Sequence, residues 1–164
     1  MSQTGETAVA WMDRPDGPRL AYRRRPGRAP GIVFLCGFAS DRTGTKASSL
    51  DEAARAAGRA VLRCDYRGHG ASAGRFEDST VGDWLADALT ILDRLTDGPQ
   101  ILVGSSMGGW IALMVAVARP ERVKALVGIA AAPDFTERLV RQRLGDVERE
   151  TLTRDGVLLQ PSQY

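Results

Sequence analysis

The sequence predicts an α/β fold, a mostly parallel sheet with helices on both faces. Three observations carry that expectation. Apolar segments of strand length alternate with segments of helical periodicity along most of the chain. Ile32 to Cys36 is a short continuous apolar run, the mark of a strand covered on both faces. A glycine-rich turn, Gly104 to Gly108, separates the apolar run Gln100 to Val103 from a second one, Trp110 to Ala118.

In chain order, Thr7 to Met12 and Arg19 to Arg23, parted by Asp16-Gly17-Pro18, read as an opening hairpin. The strand at Ile32 to Cys36 follows. Lys46 to Ala57 is an alanine-rich helix stopped by Gly58, and Ala60 to Cys64 is the next strand. Gly68, Gly70 and Gly74 mark a loop. Thr80 to Leu95 is the clearest helix, with Val81, Trp84, Leu85, Ala88, Leu89, Leu92 and Leu95 on one stripe. Thr80 with Asp83 resembles a capping box, and Gly98-Pro99 ends the segment. Ile101 to Val103 is a strand, Met107 to Ala118 a helix apolar on nearly every side, and Val123 to Ala130 a further strand. Phe135 to Leu152 is charged and amphipathic, and no strand is expected after it.

With 164 residues, 43% of them hydrophobic, the chain can bury one core. Its basic residues are twenty arginines and two lysines, spread along the sequence, so no nucleic-acid surface is expected. The one cluster, Arg23-Arg24-Arg25, reads as a solvated strand end. Cys36 and Cys64 are too few for a secreted disulfide framework and are expected to be buried thiols. Met1 to Ala10 lacks a basic segment followed by an apolar one, and no apolar run approaches membrane-spanning length. A cytoplasmic protein without cofactor or metal is the expectation.

The chemistry concentrates at Gly104-Ser105-Ser106-Met107-Gly108. A G-x-S-x-G pattern alone is weak, but strand before, helix after, and Gly109 beside Gly108 fit the nucleophile elbow of α/β-hydrolases. There the serine sits in a strained turn that small neighbours make room for. Ser106 is the candidate nucleophile. The N–H of Met107, next in sequence, is the first candidate oxyanion donor, and Phe38, after Gly37 in the loop that ends the third strand, supplies the second. A histidine base from later in the chain is required, yet the only histidine, His69, is upstream. It lies in the loop after the fourth strand, which by analogy with the sheet order of α/β-hydrolases is two places from the nucleophile strand, about 10 Å away laterally, and this makes it a poor base and leaves a structural or pocket-lining role. Asp134, after the strand that follows the nucleophile helix, is a candidate acid, with capping of the next helix as the alternative.

Gly37-Phe38, the segment Asp65 to Gly74 (DYRGHGASAG) and Gly104 to Gly109 stand in the order seen in α/β-hydrolases. Gly37 to Ser49, Phe76 to Asp83, Asp97 to Val123 and the ending Pro161 to Tyr164 resemble the abhydrolase-domain palmitoyl-protein thioesterase and acyl-glucuronide esterase subfamily. The resemblance covers about residues 31 to 164 and implies ester or thioester hydrolysis on small-molecule or acyl-protein substrates. It also implies that residues 1–133 are the N-terminal part of the core and 134–164 the beginning of a cap or connecting segment. The fold is then truncated before its last strands, which carry the family's acid and histidine.

Two other readings compete. A non-catalytic fragment or interaction module would use the last strand, an exposed apolar edge open to self-association. Nucleotide binding is disfavoured, because Gly68, Gly70 and Gly74 miss the G-x-G-x-x-G spacing by one residue.

Overall fold

The computed structural model describes residues 8–159. Its elements in chain order are β1 (Ala10–Arg14), β2 (Gly17–Arg25), β3 (Arg28–Leu35), α1 (Thr45–Ala56), β4 (Arg59–Cys64), α2 (Val81–Leu95), β5 (Gln100–Ser105), α3 (Met107–Ala118), β6 (Val123–Ile129) and α4 (Asp146–Asp155). Among the described residues six strands form one sheet in the order β1-β2-β4-β3-β5-β6. β1 pairs antiparallel with β2, and β2 antiparallel with β4; the β4–β3, β3–β5 and β5–β6 pairs are parallel.

The core lies on both sides of β3. Successive strand residues face opposite ways, so burial of Val33, Phe34 and Leu35 in a row means that both faces are covered. α1 packs on β4, while α2 packs on α3, which lies against β5 and β6. α2 begins as its sequence indicates: Thr80 Oγ1 accepts the Asp83 N–H, and the Asp83 carboxylate accepts the Thr80 N–H at 2.9 Å. Its buried stripe holds Trp84, Ala88, Ile91 and Leu92, and also Asp87. That buried carboxylate is matched by two guanidinium groups, Arg14 at 2.7 Å and Arg67 at 2.8 Å, which tie α2 to β1 and to the loop after β4.

Several boundaries differ from the sequence expectation. The hairpin turn is Pro15-Asp16, and β2 begins at Gly17; Thr7 lies outside the described residues. β3 starts four residues earlier than its apolar run, because strand pairing is a backbone property and is made at Arg28, opposite Arg59, across an irregularity before Ile32. Arg23 to Arg25 form the end of β2, where Arg24 is exposed as expected and Arg23 and Arg25 are half-buried. They lie within β2, paired with β4, and Arg25 makes a two-pronged contact with the buried Asp51. The segment read as one amphipathic stretch from Phe135 divides into a π turn at Thr136–Val140, a 3-10 turn at Arg141–Arg143, and α4. α4 starts afresh after Gly145, whose N–H is accepted by Glu148 at 2.8 Å, and ends at Gly156 with φ 72°. β6 closes one side of the sheet with Val127 48% exposed. Among the described residues no helix is long and apolar enough to cross a membrane.

Asp87→Ala leaves the buried Arg14 guanidinium without its carboxylate and the part-buried Arg67 with Asp83 alone, and should cost roughly 3 kcal/mol of stability. Denaturant unfolding measures it, and a loss below about 1 kcal/mol would show the network to be no more than surface pairing.

Candidate active site

The turn from β5 into α3 forces Ser106 to φ 53° and ψ −121°, a conformation that non-glycine residues avoid. Hydrogen bonds hold it there. Its N–H donates to the Ile129 carbonyl at 3.0 Å, and its own carbonyl accepts from Gly109 at 2.9 Å and Ala132 at 3.1 Å. The neighbouring glycines are required by contact: a Cβ on Gly104 would collide with the Gly108 carbonyl, and one on Gly108 with the carbonyls of Leu35 and Cys36. Strand and helix are therefore as close as backbone permits. Among residues 102–109, Ser106 is the one exposed residue, projecting from a buried turn.

Of the two expected donors, Met107 follows it in sequence and Phe38 belongs to the loop packed against its turn. Met107 is fully buried and opens α3, so its N–H has no acceptor inside the helix and sits at the positive end of the helix dipole. The loop after β3 lies against the same turn: a Cβ on Gly37 would stand 3.4 Å from the Ser106 Cβ. A cavity of about 270 Å³ is lined by Gly37, Phe38, Ser40, Lys46, Ser105 and Ser106, among others. The Phe38 ring is 40% exposed and makes edge contacts with Phe76, at 4.9 Å between centroids, and with Phe135 at 5.7 Å. Phe135 in turn meets Trp110 of α3 at 6.0 Å. These aromatic contacts were not read from the sequence, because each joins residues far apart along the chain.

His69 is not brought to the serine. β3 stands between β4 and β5 in the sheet, and the histidine is spent elsewhere. It is 3% exposed and meets the rings of Tyr66, Phe76 and Trp84 edge-on. Its Nδ1 lies 3.2 Å from the Arg67 carbonyl, which can only accept, so Nδ1 carries the proton. Among the described residues Nε2 is buried with no hydrogen-bond partner. Burial pulls the imidazole below its ordinary pKa, against the weaker opposing effect of the Arg67 carbonyl. Asp134 is exposed, at φ 54°. It meets the following turn only through its backbone carbonyl, which accepts from Glu137 and Arg138, so neither a carboxylate cap nor a histidine contact is formed. Cys36 and Cys64 are unbridged and buried, and burial pushes both thiols up, which removes them as nucleophiles. Among the described residues no group of three or more histidine, cysteine or carboxylate side chains is placed to hold a metal ion.

Sheet order, strained serine and glycine packing describe one fold family, and comparison identifies it. Residues 30–160 match the family described as alpha/beta hydrolase fold, and the chain belongs to that family. It is 45% identical over 159 residues to human palmitoyl-protein thioesterase ABHD10, mitochondrial, a match covering 97% of this chain and 52% of the relative. The solved structure of alpha/beta hydrolase domain-containing protein 10 from mouse superposes with a TM-score of 0.87 at 42% identity, covering 96% of this chain and 63% of that one. A putative hydrolase from Agrobacterium vitis S4 gives a TM-score of 0.83 at 40% identity, covering 97% and 65%. The narrower resemblance read from the sequence is thus borne out, and the chain spans about half the length of the curated relatives it matches. The cytoplasmic expectation is corrected by the same relatives, which are named as mitochondrial. It rested on the lack of a secretory signal pattern, which bears on secretion and does not distinguish among other compartments.

The buried histidine predicts an acid sensitivity. With its pKa lower in the folded than in the unfolded chain, stability is full above the ordinary histidine range and is lost as pH falls through it. Between about pH 7.5 and 5.5 the melting temperature should fall more for the parent chain than for His69→Gln. Equal falls would remove His69 as the cause.

Proposed function

We propose that the chain carries the nucleophile half of a serine hydrolase acting on carboxylic esters or thioesters, small-molecule or acyl-protein. The observation that supports this most is Ser106, exposed and strained between β5 and α3. Ser106 Oγ attacks the acyl carbonyl, and the amides of Phe38 and Met107 receive the oxyanion, aided by the α3 dipole. Collapse of the tetrahedral intermediate expels the alcohol or thiol and leaves an acyl-serine, which water hydrolyses. The relatives' printed name, palmitoyl-protein thioesterase, favours a long-chain thioester.

In this reading residues 1–133 form the N-terminal part of the core, and 134–164 begin a cap or connecting segment. The acid and the base come from sequence other than these residues, since His69 is enclosed by aromatic rings and Asp134 meets no base. Serine without an adjacent base is a weak nucleophile, so residues 1–164 alone should hydrolyse slowly if at all. A second reading draws on β6, which ends the sheet with Val127 half exposed. As a non-catalytic module the chain would pair with another copy along that edge.

The full-length gene product separates the two. With an acyl thioester as substrate, Ser106→Ala should lower kcat/KM by more than about 10³-fold with melting temperature retained. Undiminished hydrolysis in the variant would refute Ser106 as nucleophile. No hydrolysis by the parent protein, together with a concentration-dependent dimer, would favour the module.

A further inference from the structure

The loop that carries Phe38 hangs between two anchors. At its start, Gly37 presses on the nucleophile turn, where a Cβ would stand 3.2 Å from the Ser105 carbonyl. At its end the backbone of Arg42 is gripped on both sides: its N–H donates to Asp65 Oδ1 at 2.7 Å, and its carbonyl accepts from the Arg63 guanidinium at 3.1 Å.

The second anchor is a buried ionic chain. Asp65 is 0% exposed, Arg63 1% and Arg42 6%. The Arg42 guanidinium pairs with Asp65 Oδ2, and Arg63 pairs at 2.8 Å with Asp51, which also receives Arg25. Asp65 Oδ2 accepts the Ala71 N–H at 2.9 Å, so the same carboxylate fixes the loop after β4. Gly70, at φ 50°, lies flat on that carboxylate, and a Cβ there would collide with it. Buried ion pairs add little net stability over apolar residues of the same shape. What they supply is direction, and here it is directed at the peptide groups that bound the oxyanion loop.

We propose that Asp65 and Arg42 are positioning residues that set where the Phe38 amide stands relative to Ser106. The proposal rests on the reading of Ser106 and Phe38 given above. An oxyanion donor must lie about 2.7–3.1 Å from the charge that develops in the transition state. A displacement of about 1 Å costs on the order of 10²-fold in rate. That contact is absent from the bound ground state, so slackening the anchor lowers kcat and spares KM.

In the full-length gene product, Asp65→Asn should lower kcat about 10²-fold and leave KM within about threefold. Amide hydrogen exchange should speed up at residues 38–42 while the amides of β5 and α3 keep their protection. Arg42→Lys, which keeps the charge and the backbone grip, should lower kcat by a smaller factor with the same unchanged KM, and it carries the test if Asp65→Asn does not fold. Unchanged kcat in a folded variant would overturn the proposal. So would exchange that rises equally in β5 and α3, which is loss of structure and not of position. If Ser106→Ala retains full hydrolysis, the reading of the site fails instead, and the effect of Asp65 bears on stability alone.

Discussion

A serine backbone at φ 53° costs about 1–3 kcal/mol and persists only where its surroundings over-determine it. Much of the described structure serves that requirement. β5 and β6 run parallel as neighbours at one side of the sheet, so that the Ile129 carbonyl can accept the Ser106 N–H. Gly104 and Gly108 give up side chains so that β5, α3 and the end of β3 can meet at backbone distance. Once that turn is fixed, α3 starts beneath the serine with its free amides facing outward from the strand. The exposed serine and the free Met107 amide at the start of α3 follow from this one strained turn.

Around it, buried charge orders the loops. Asp87 gathers Arg14 and Arg67 at one side of α2, and Asp65 gathers Arg42 and the Ala71 amide at the end of β4. Asp87 stands on α2 and Asp65 directly after β4, and each reaches into a loop. Part of the arginine-rich composition is explained this way. A good part of the guanidinium charge is turned inward, toward carboxylates that helices and strands present.

Local features of the fold were legible in the sequence. α3 runs over Met107–Ala118 as its apolar run indicated, and Thr80 with Asp83 forms the capping box that their spacing implied. Strand ends were less legible, because residues such as Arg28 and Arg59 pair through their backbones while their side chains read as loop. Asp87 was missed since it interrupts an apolar stripe, and its partner Arg14 is 73 residues away. For the site, Ser106 and the Gly37-Phe38 loop were marked by glycine spacing. The anchoring of Arg42 by Asp65 was not, because a carboxylate at a strand end carries no sign of which backbone N–H it will meet 23 residues back. His69 shows the converse: its poor position relative to the serine followed from strand order, but its aromatic enclosure did not.

The proposed chemistry turns on a covalent bond to one oxygen. Brief exposure of the full-length gene product to an activated acyl thioester, acid quenching and mass spectrometry of the peptide containing residues 100–118 would show whether that bond forms. The prediction is a mass increase equal to the acyl group, located on Ser106 and absent after Ser106→Ala. Turnover of the thioester with no acylated peptide, or with the acyl group on another residue, would contradict it.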